Sequence, residues 1–162
     1  MDQEVLSAPF EIAFEYTRSL GPTLSRFMTS LREGRIVGVR GSDGRLHVPP
    51  PEFDPYTAER LPRDAGGRDH DGFVDVADTG EVVTWSWMPD PLEGQPLAHP
   101  FAWALIRLDG ADTPMLHAVD AGDPSNIATG TPVRARWRSD RVGHIRDIEC
   151  FDILEDLGGV SA

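Results

Sequence analysis

Short segments with the pattern of β-strands fill the sequence from residue 73 onward, separated by turns rich in Gly, Pro and Asp. The clearest spans 131–138, where Val133, Ala135 and Trp137 alternate with polar residues, as in a strand with one buried face. Four other segments have strand-like composition: 73–88, 101–108, 114–119 and 144–151. No long helical pattern follows residue 34, and closing a sheet removes its exposed edges, so these segments predict a small antiparallel barrel. The longer connection between the third and fourth strands favours a five-stranded OB-fold.

Two helices are expected before the strands. Loosely spaced apolar side chains, including Phe10 and Tyr16, predict a first helix within residues 8–20. A second helix over 22–33 is predicted by apolar residues at i, i+3, i+4 and i+7, which are Leu24, Phe27, Met28 and Leu31. Gly34 is expected to end this helix. The N-terminal helical segment is therefore assigned to residues 1–34.

Residues 38–57, GVRGSDGRLHVPPPEFDPYT, have the outline of a rubredoxin-like zinc ribbon. Two short strands flank a turn at 41–44 whose Gly, Ser and Asp residues favour tight turns, and a run of three prolines follows. A zinc ribbon carries a cysteine pair in each of its two turns, and neither turn here contains cysteine. The chain is thus divided into a degenerate ribbon hairpin (35–59), a charged linker (60–72), an OB-fold (73–155) and a tail (156–162).

Charge and composition argue against several classes of function. The formal net charge of −12 and the pI near 4.7 disfavour nucleic-acid binding through phosphate neutralisation. The chain has no lysine, so neither a Schiff-base lysine nor a P-loop lysine is available. No apolar run approaches the roughly 20 residues of a membrane span, and the acidic start of the sequence lacks the basic region of a secretory signal. A cytoplasmic location without membrane attachment is the expectation.

Residue patterns give no sign of a self-contained active site. The five histidines form no HExxH pattern, and no Gly-x-Ser-x-Gly elbow is present. The single cysteine, Cys150, lies in a strand-like segment, where a buried inert thiol is a better interpretation than a nucleophile. The Asp-His-Asp run at 69–71 is a candidate metal site, although its place in the linker favours a solvated turn. We therefore expect no catalytic residues in this chain.

Two sets of side chains are candidates for binding. Four tryptophans in predicted strands form either barrel core or a face that stacks on a ligand: Trp85, Trp87, Trp103 and Trp137. Three arginines share the polar face of segment 131–138, as a solvated face or as a site for a phosphate-bearing ligand: Arg134, Arg136 and Arg138.

Several stretches, taken in order, resemble the DUF35 OB-fold proteins, an acyl-CoA-associated family with a zinc ribbon ahead of an OB-fold. They are GEVVTWSW, PFAWALIRLDG and HAVDAGDPSNIATGTPVRARW, and with the helix and hairpin the resemblance spans roughly residues 20–155. Within that family, PFAWALIRLDGADTPMLHAVDAG and GHIRDIECF are most similar to the DUF35 subunit or domain of bacterial steroid side-chain aldolases.

This resemblance implies an accessory role. In such aldolases a thiolase-like lipid-transfer protein performs a retro-aldol cleavage of a side-chain acyl-CoA, which releases a 17-keto steroid and propionyl-CoA. The DUF35 subunit supports that partner, in an expected two-plus-two hetero-oligomer, beside a MaoC-type enoyl-CoA hydratase. The expected interface residues are Phe27, Leu31, Arg40 and Asp54, and the expected contacts to acyl-CoA are Arg134, Arg136 and Arg138.

Other roles stay open at this point. The chain could be a stand-alone acyl-CoA-binding module, or an accessory subunit of another thiolase-family enzyme. An oligonucleotide-binding OB domain is a third interpretation, which the charge of −12 and the missing lysines disfavour.

The same resemblance locates the four zinc-ligand positions of the ribbon. They are occupied here by Arg40, Asp43, Asp54 and Thr57. Arginine cannot ligate zinc, and two aspartates with a threonine make a poor structural site. We therefore expect no zinc and no other cofactor. An ion pair of Arg40 with Asp43 or Asp54 is the hypothesised replacement for the metal cross-link.

Overall fold

The computed structural model describes residues 19–61 and 72–154, with positions 8, 10, 12, 13, 16 and 17. This part contains one α-helix, α1 (Gly21–Arg32), and two 3-10 helices at Pro124–Asn126 and Ile145–Asp147. It also contains eight strands: β1 (Ile36–Arg40), β2 (Leu46–His47), β3 (Phe73–Val76), β4 (Thr79–Met88), β5 (Phe101–Leu108), β6 (Met115–Asp120), β7 (Pro132–Trp137) and β8 (Ile148–Ile153). Within the described ranges, no helix has the length and hydropathy that a membrane span requires.

Five strands form one sheet that closes on itself in the order β4-β5-β6-β8-β7. Neighbouring strands are antiparallel except β6 and β8, which are parallel and pair only at Val119–Phe151 and Asp120–Asp152. Along β7 the predicted alternation holds as far as Arg136, where the register with β8 shifts. The strand order is that of a five-stranded OB-fold, so the prediction of this domain is confirmed.

A second, three-stranded antiparallel sheet has the order β2-β1-β3. The turn between β1 and β2 is closed by the Gly41 N–H, which donates to the Arg45 carbonyl over 2.9 Å. On the other side of β1, β3 pairs in register from Ile36–Val76 to Val39–Phe73. The predicted hairpin is therefore present as two strands of a larger sheet, and its likeness to rubredoxin stays a prediction.

Three predicted elements are wrong in their extent. The described positions between 8 and 20 carry no helix, so α1 is the one helix of the described N-terminal region. Segment 73–88 is not one barrel strand, because β3 pairs with β1 and the barrel strand is β4. The last strand begins at Ile148, since residues 144–147 form a capped 3-10 turn. The Asp-His-Asp candidate at 69–71 and the tail 156–162 lie outside the described residues.

One hydrophobic core joins the helix, the small sheet and the barrel. Phe27 and Leu31 of α1 belong to the same cluster of buried side chains as Ile36 of β1 and the inward residues of the closed sheet. Hydrogen bonds reinforce the contact: the Leu46 N–H donates to Asp112 Oδ2 over 2.8 Å, and the Asp112 N–H donates to the Leu46 carbonyl over 2.9 Å. The small sheet is thereby docked on the turn between β5 and β6.

Candidate functional site

Asp54 is a buried carboxylate that joins the two turns of the ribbon. It accepts hydrogen bonds from the Ser42 N–H in the first turn (2.5 Å) and from the Tyr56 and Thr57 N–H groups in the second (2.8 and 2.9 Å). The bond from Ser42 is the main reason that the pKa of Asp54 lies well below its usual range. Those from Thr57 and Tyr56 add to the effect, while burial opposes it. The ionised carboxylate therefore cross-links the turns that zinc joins in a zinc ribbon.

The other three ligand positions have different roles, and the hypothesised Arg40–aspartate pair is not formed. The Arg40 guanidinium donates to the Gly44 carbonyl over 3.0 Å and stays on its own turn. Asp43 accepts from the Arg45 N–H over 3.0 Å. Thr57 contributes its N–H to Asp54, and its hydroxyl oxygen accepts from the Glu59 N–H over 3.5 Å. The cross-link is thus made by Asp54 with backbone N–H groups and not by the hypothesised arginine ion pair.

Zinc does not fit this arrangement. A structural zinc site needs four converging sulfur, nitrogen or oxygen ligands. Here Asp54 already has three N–H partners, and Arg40 brings a positive charge. The expectation that the chain binds no zinc stays a prediction, now with a physical reason.

Arg136, one of the three expected CoA contacts, forms ion pairs with three carboxylates of its own chain. Its guanidinium pairs with Asp120 Oδ2 at 3.0 Å, with Asp152 Oδ1 at 2.8 Å and with Glu149 Oε2 at 3.2 Å. Burial opposes ionisation of Asp120, but hydrogen bonds from Arg136 and His99 outweigh it and keep the pKa of this carboxyl below its usual value. Asp120, Asp152 and the Cys150 thiol lie close enough to share a metal ion. The Arg136 guanidinium, however, already pairs with both carboxylates and supplies a positive charge where a metal ion would bind.

The other predicted site residues have contrasting surroundings. Arg134 is exposed and lies 3.9 Å from Asp78, a loose ion pair. Arg138, just past the end of β7, is exposed and lines the cavity described next. Phe27 and Leu31, expected at a partner interface, are fully buried against the chain's own core, because both lie on the inward face of α1. Their side chains are therefore not part of a surface.

A mostly apolar cavity of about 300 Å³ lies where β6 and β8 separate. These two strands pair only near their C-terminal ends, and the preceding residues of both strands line the cavity. The loop 89–100 and the connection 138–147 complete the wall. In the OB-fold these elements are strands 2, 3 and 5 with the first and last loops, the region where such domains bind ligands. The apolar lining residues are Pro96, Trp103, Leu116, Ile145 and Ile148.

A second buried carboxylate shapes the loop at this cavity. Asp147 accepts from the N–H groups of Val142, Gly143 and His144, at 3.0, 2.7 and 3.1 Å. Burial opposes the charge, but these bonds outweigh it and hold the pKa of Asp147 below its usual value. Nearby, the Arg146 guanidinium donates to the Gly94 carbonyl over 2.9 Å and so links the two loops.

The four tryptophans are half-buried. Trp85, Trp87 and Trp137 pack against the main core, which favours the core interpretation for these three. Trp103 stacks edge-on against Phe101, with ring centroids 5.3 Å apart, and also lines the cavity. Of the four, Trp103 best suits a ligand contact.

Several cavity residues escaped sequence reasoning. His117 is buried on β6, and Gln95 and Arg146 come from the two loops. The burial of His117 could have been predicted, because it lies two residues from both Met115 and Val119 on the same face of the strand, and both of these are buried in the core. The loop residues carry no such periodic signal.

These features define an OB-fold protein that carries a three-stranded ribbon sheet ahead of its barrel. Residues 73–138 match the family model described as ChsH2, C-terminal OB-fold domain. A search of curated proteins found no significant match.

Two solved structures share this architecture. One is a DUF35-family protein of unknown function from Sulfolobus solfataricus, with a TM-score of 0.52 and 21% identity over 71% of this chain and 78% of that chain. The other is the Ltp2-ChsH2(DUF35) aldolase, with a TM-score of 0.54 and 20% identity over 79% of this chain and 91% of that chain. The resemblance to DUF35 proteins is thereby confirmed.

We predict that Asp54→Asn destabilises the ribbon at neutral pH more than Asp43→Asn does, because only Asp54 bonds to both turns. The folded-state pKa of Asp54 is depressed, so its contribution is complete above the unfolded value of about 4 and is lost as pH falls below it. The wild type and Asp54→Asn should therefore differ in thermal midpoint at pH 7 and converge in acid.

Amide hydrogen exchange gives the local readout. The N–H groups of Ser42, Tyr56 and Thr57 should lose protection in Asp54→Asn and keep it in Asp43→Asn. Equal protection in both variants would contradict the cross-link.

We also predict that Cys150 is unreactive in the folded chain. Burial raises the pKa of its thiol to about 12, with the carboxylates of Asp152 and Asp120 adding and Arg136 opposing. Relative to an ordinary thiol with a pKa of about 8.5, this slows thiolate alkylation at pH 8 about a thousandfold. Mass spectrometry after iodoacetamide treatment should show an unmodified native chain and a modified chain in denaturant. Rapid labelling of the native chain would contradict the prediction.

Proposed function

We propose that this chain is an accessory subunit, without an active site of its own, of a thiolase-fold acyl-CoA aldolase. The observation that carries the proposal is the match of residues 73–138 to the ChsH2 OB-fold domain. The likeness to the Ltp2-ChsH2(DUF35) aldolase supports it, since it extends over 79% of this chain and so beyond the closed sheet. The reaction would be retro-aldol cleavage of a steroid side-chain acyl-CoA to a 17-keto steroid and propionyl-CoA, in a cytoplasmic complex.

The chemistry of the described residues agrees with an accessory role. The candidate nucleophile Cys150 is fully buried, and burial raises the pKa of its thiol to about 12. The carboxylates nearest to it, those of Asp120 and Asp152, are held in ion pairs with Arg136. In this proposal the thiolase-like lipid-transfer protein supplies the catalytic groups, a MaoC-type hydratase acts beside it, and this chain stabilises the partner in a two-plus-two assembly.

The second turn of the ribbon is the docking surface that suits this partner best. Tyr56 is 68% exposed and Phe53 is 49% exposed, on either side of the buried Asp54. Exposed aromatic residues next to a rigid turn are typical anchors of protein interfaces. Arg40, exposed at the end of β1, adds a positive charge. Asp54 would then act indirectly, by holding this surface in shape.

Co-expression with a thiolase-like lipid-transfer partner tests the proposal. We expect the two chains to co-purify and to cleave the steroid side-chain thioester, while this chain alone does not. Tyr56→Ser should weaken the complex by about tenfold or more, as loss of an aromatic anchor does. The control is Leu92→Ser, which changes an equally exposed apolar residue on the barrel loop. Cleavage by the isolated chain, or equal effects of both variants, would contradict the proposal.

A second candidate is an acyl-CoA-binding module that works without a partner. The apolar cavity beside Arg138 favours it. Of the three expected CoA contacts, Arg138 is the most available, since Arg136 is held by three carboxylates. Acyl-CoA binding by a chain that does not co-purify with the thiolase-like partner favours this candidate, and co-purification with that partner favours the first.

A further inference from the structure

Two buried polar atoms at the cavity between β6 and β8 have no hydrogen-bond partner among the described residues: His117 Nδ1 and Gln95 Oε1. Buried polar atoms in folded proteins are nearly always hydrogen-bonded, and an unsatisfied one costs free energy. Neither atom has a described partner within hydrogen-bond distance, although the backbone of Ile145 and Ala118 lies near enough to the His117 ring to raise its pKa against the larger effect of burial. Because both atoms belong to residues that line one cavity, we infer that they form hydrogen bonds to a ligand bound there.

The remainder of the wall favours an apolar occupant. Trp103, Ile145 and Ile148 supply flat and branched apolar surface, and Leu116 is 61% exposed. A cavity of about 300 Å³ has room for about ten groups the size of a water molecule. This volume is at the small end of the range for ligand pockets, and a few polar groups in an apolar wall are typical of such pockets.

Two arginines give the cavity a positive side. Arg138 has no ion pair within the described part of the chain, and Arg146 donates to a carbonyl rather than to a carboxylate. Other arginines of this acidic chain, such as Arg35 and Arg136, are paired with aspartate or glutamate. The carboxylate in the lining, Glu149, lies 3.2 Å from Arg136 and shares that one positive charge with Asp120 and Asp152, so the positive side of the cavity is limited to Arg138 and Arg146.

We propose that this cavity binds a small amphipathic anion, whose apolar body carries a hydroxyl group and whose anionic end lies at Arg138 and Arg146. The hydroxyl supplies the partner that His117 Nδ1 or Gln95 lacks. Burial lowers the pKa of His117, so its ring is neutral at pH 7, and a hydroxyl matches either tautomer because it both donates and accepts. The anionic end is the carboxylate of a free acid or the phosphates of its CoA thioester.

This inference goes beyond the proposed subunit role, since the site is formed by this chain alone. Titration of the purified full chain therefore tests it without a partner. The probes are decanoic acid, 3-hydroxydecanoic acid and the CoA thioester of each. Their binding is followed by calorimetry and by intrinsic tryptophan fluorescence, to which the half-buried Trp103 contributes. The free acids and the thioesters distinguish the two sources of the anionic end.

We expect the hydroxylated probe to bind about tenfold or more tightly than its deoxy analogue, since it satisfies a buried polar atom. His117→Phe and Gln95→Met should reduce this preference while retaining affinity for the deoxy compound. Arg138→Gln should weaken both probes by about fivefold through loss of a charged contact, and less at high salt. The matched control is Arg134→Gln, an exposed arginine of β7 that does not line the cavity.

Three results would overturn the proposal. One is no measurable binding of any probe by the wild type, which leaves the cavity to water. Another is equal affinity for the hydroxylated and deoxy compounds. The last is equal weakening by Arg138→Gln and Arg134→Gln. If His117→Phe does not fold, as its thermal midpoint will show, Gln95→Met carries the test of hydroxyl recognition.

Discussion

The ribbon of this protein depends on one buried carboxylate. Asp54 follows the proline run and accepts hydrogen bonds from N–H groups of both turns. The nearest of these groups, that of Ser42, lies twelve residues earlier in the chain. A carboxylate that is fully hydrogen-bonded to backbone groups can stay ionised without water, because the donors replace its hydration. These bonds hold the turn between β1 and β2 against the second turn of the ribbon. β1 in turn carries core residues that contact α1 and the barrel.

A second buried carboxylate that accepts several backbone N–H groups lies in the loop beside the cavity. Asp147 binds three consecutive N–H groups and orders the connection between β7 and β8, as Asp54 orders the ribbon. One carboxylate therefore shapes the proposed docking surface, and the other shapes the loop at the cavity. The cavity itself exists because β6 and β8 run parallel and pair over only two residues. The proposed ligand site and the proposed partner surface thus lie on separate parts of the fold.

The barrel could be predicted from sequence because its information is local. Alternation along 131–136, turn residues between segments and the absence of a later helical pattern are each visible within a few positions. The pairing of β3 with β1 could not be predicted in this way, because the two strands lie on either side of a linker and no local pattern relates them. The family resemblance, rather than any local pattern, placed Asp54 at a zinc-ligand position of the ribbon. Its partners, and those of Arg136 from β6 and β8, are set only by the folded chain.

The carboxylate cross-link is tested most directly by measuring the zinc content of the protein together with the effect of a chelator on its thermal stability. Protein purified from zinc-supplemented cells would be analysed by inductively coupled plasma mass spectrometry and unfolded thermally with and without EDTA. The account predicts far less than one zinc per chain and the same thermal midpoint in both conditions. Stoichiometric zinc, or a lower midpoint after chelation, would show that a metal rather than Asp54 holds the ribbon together.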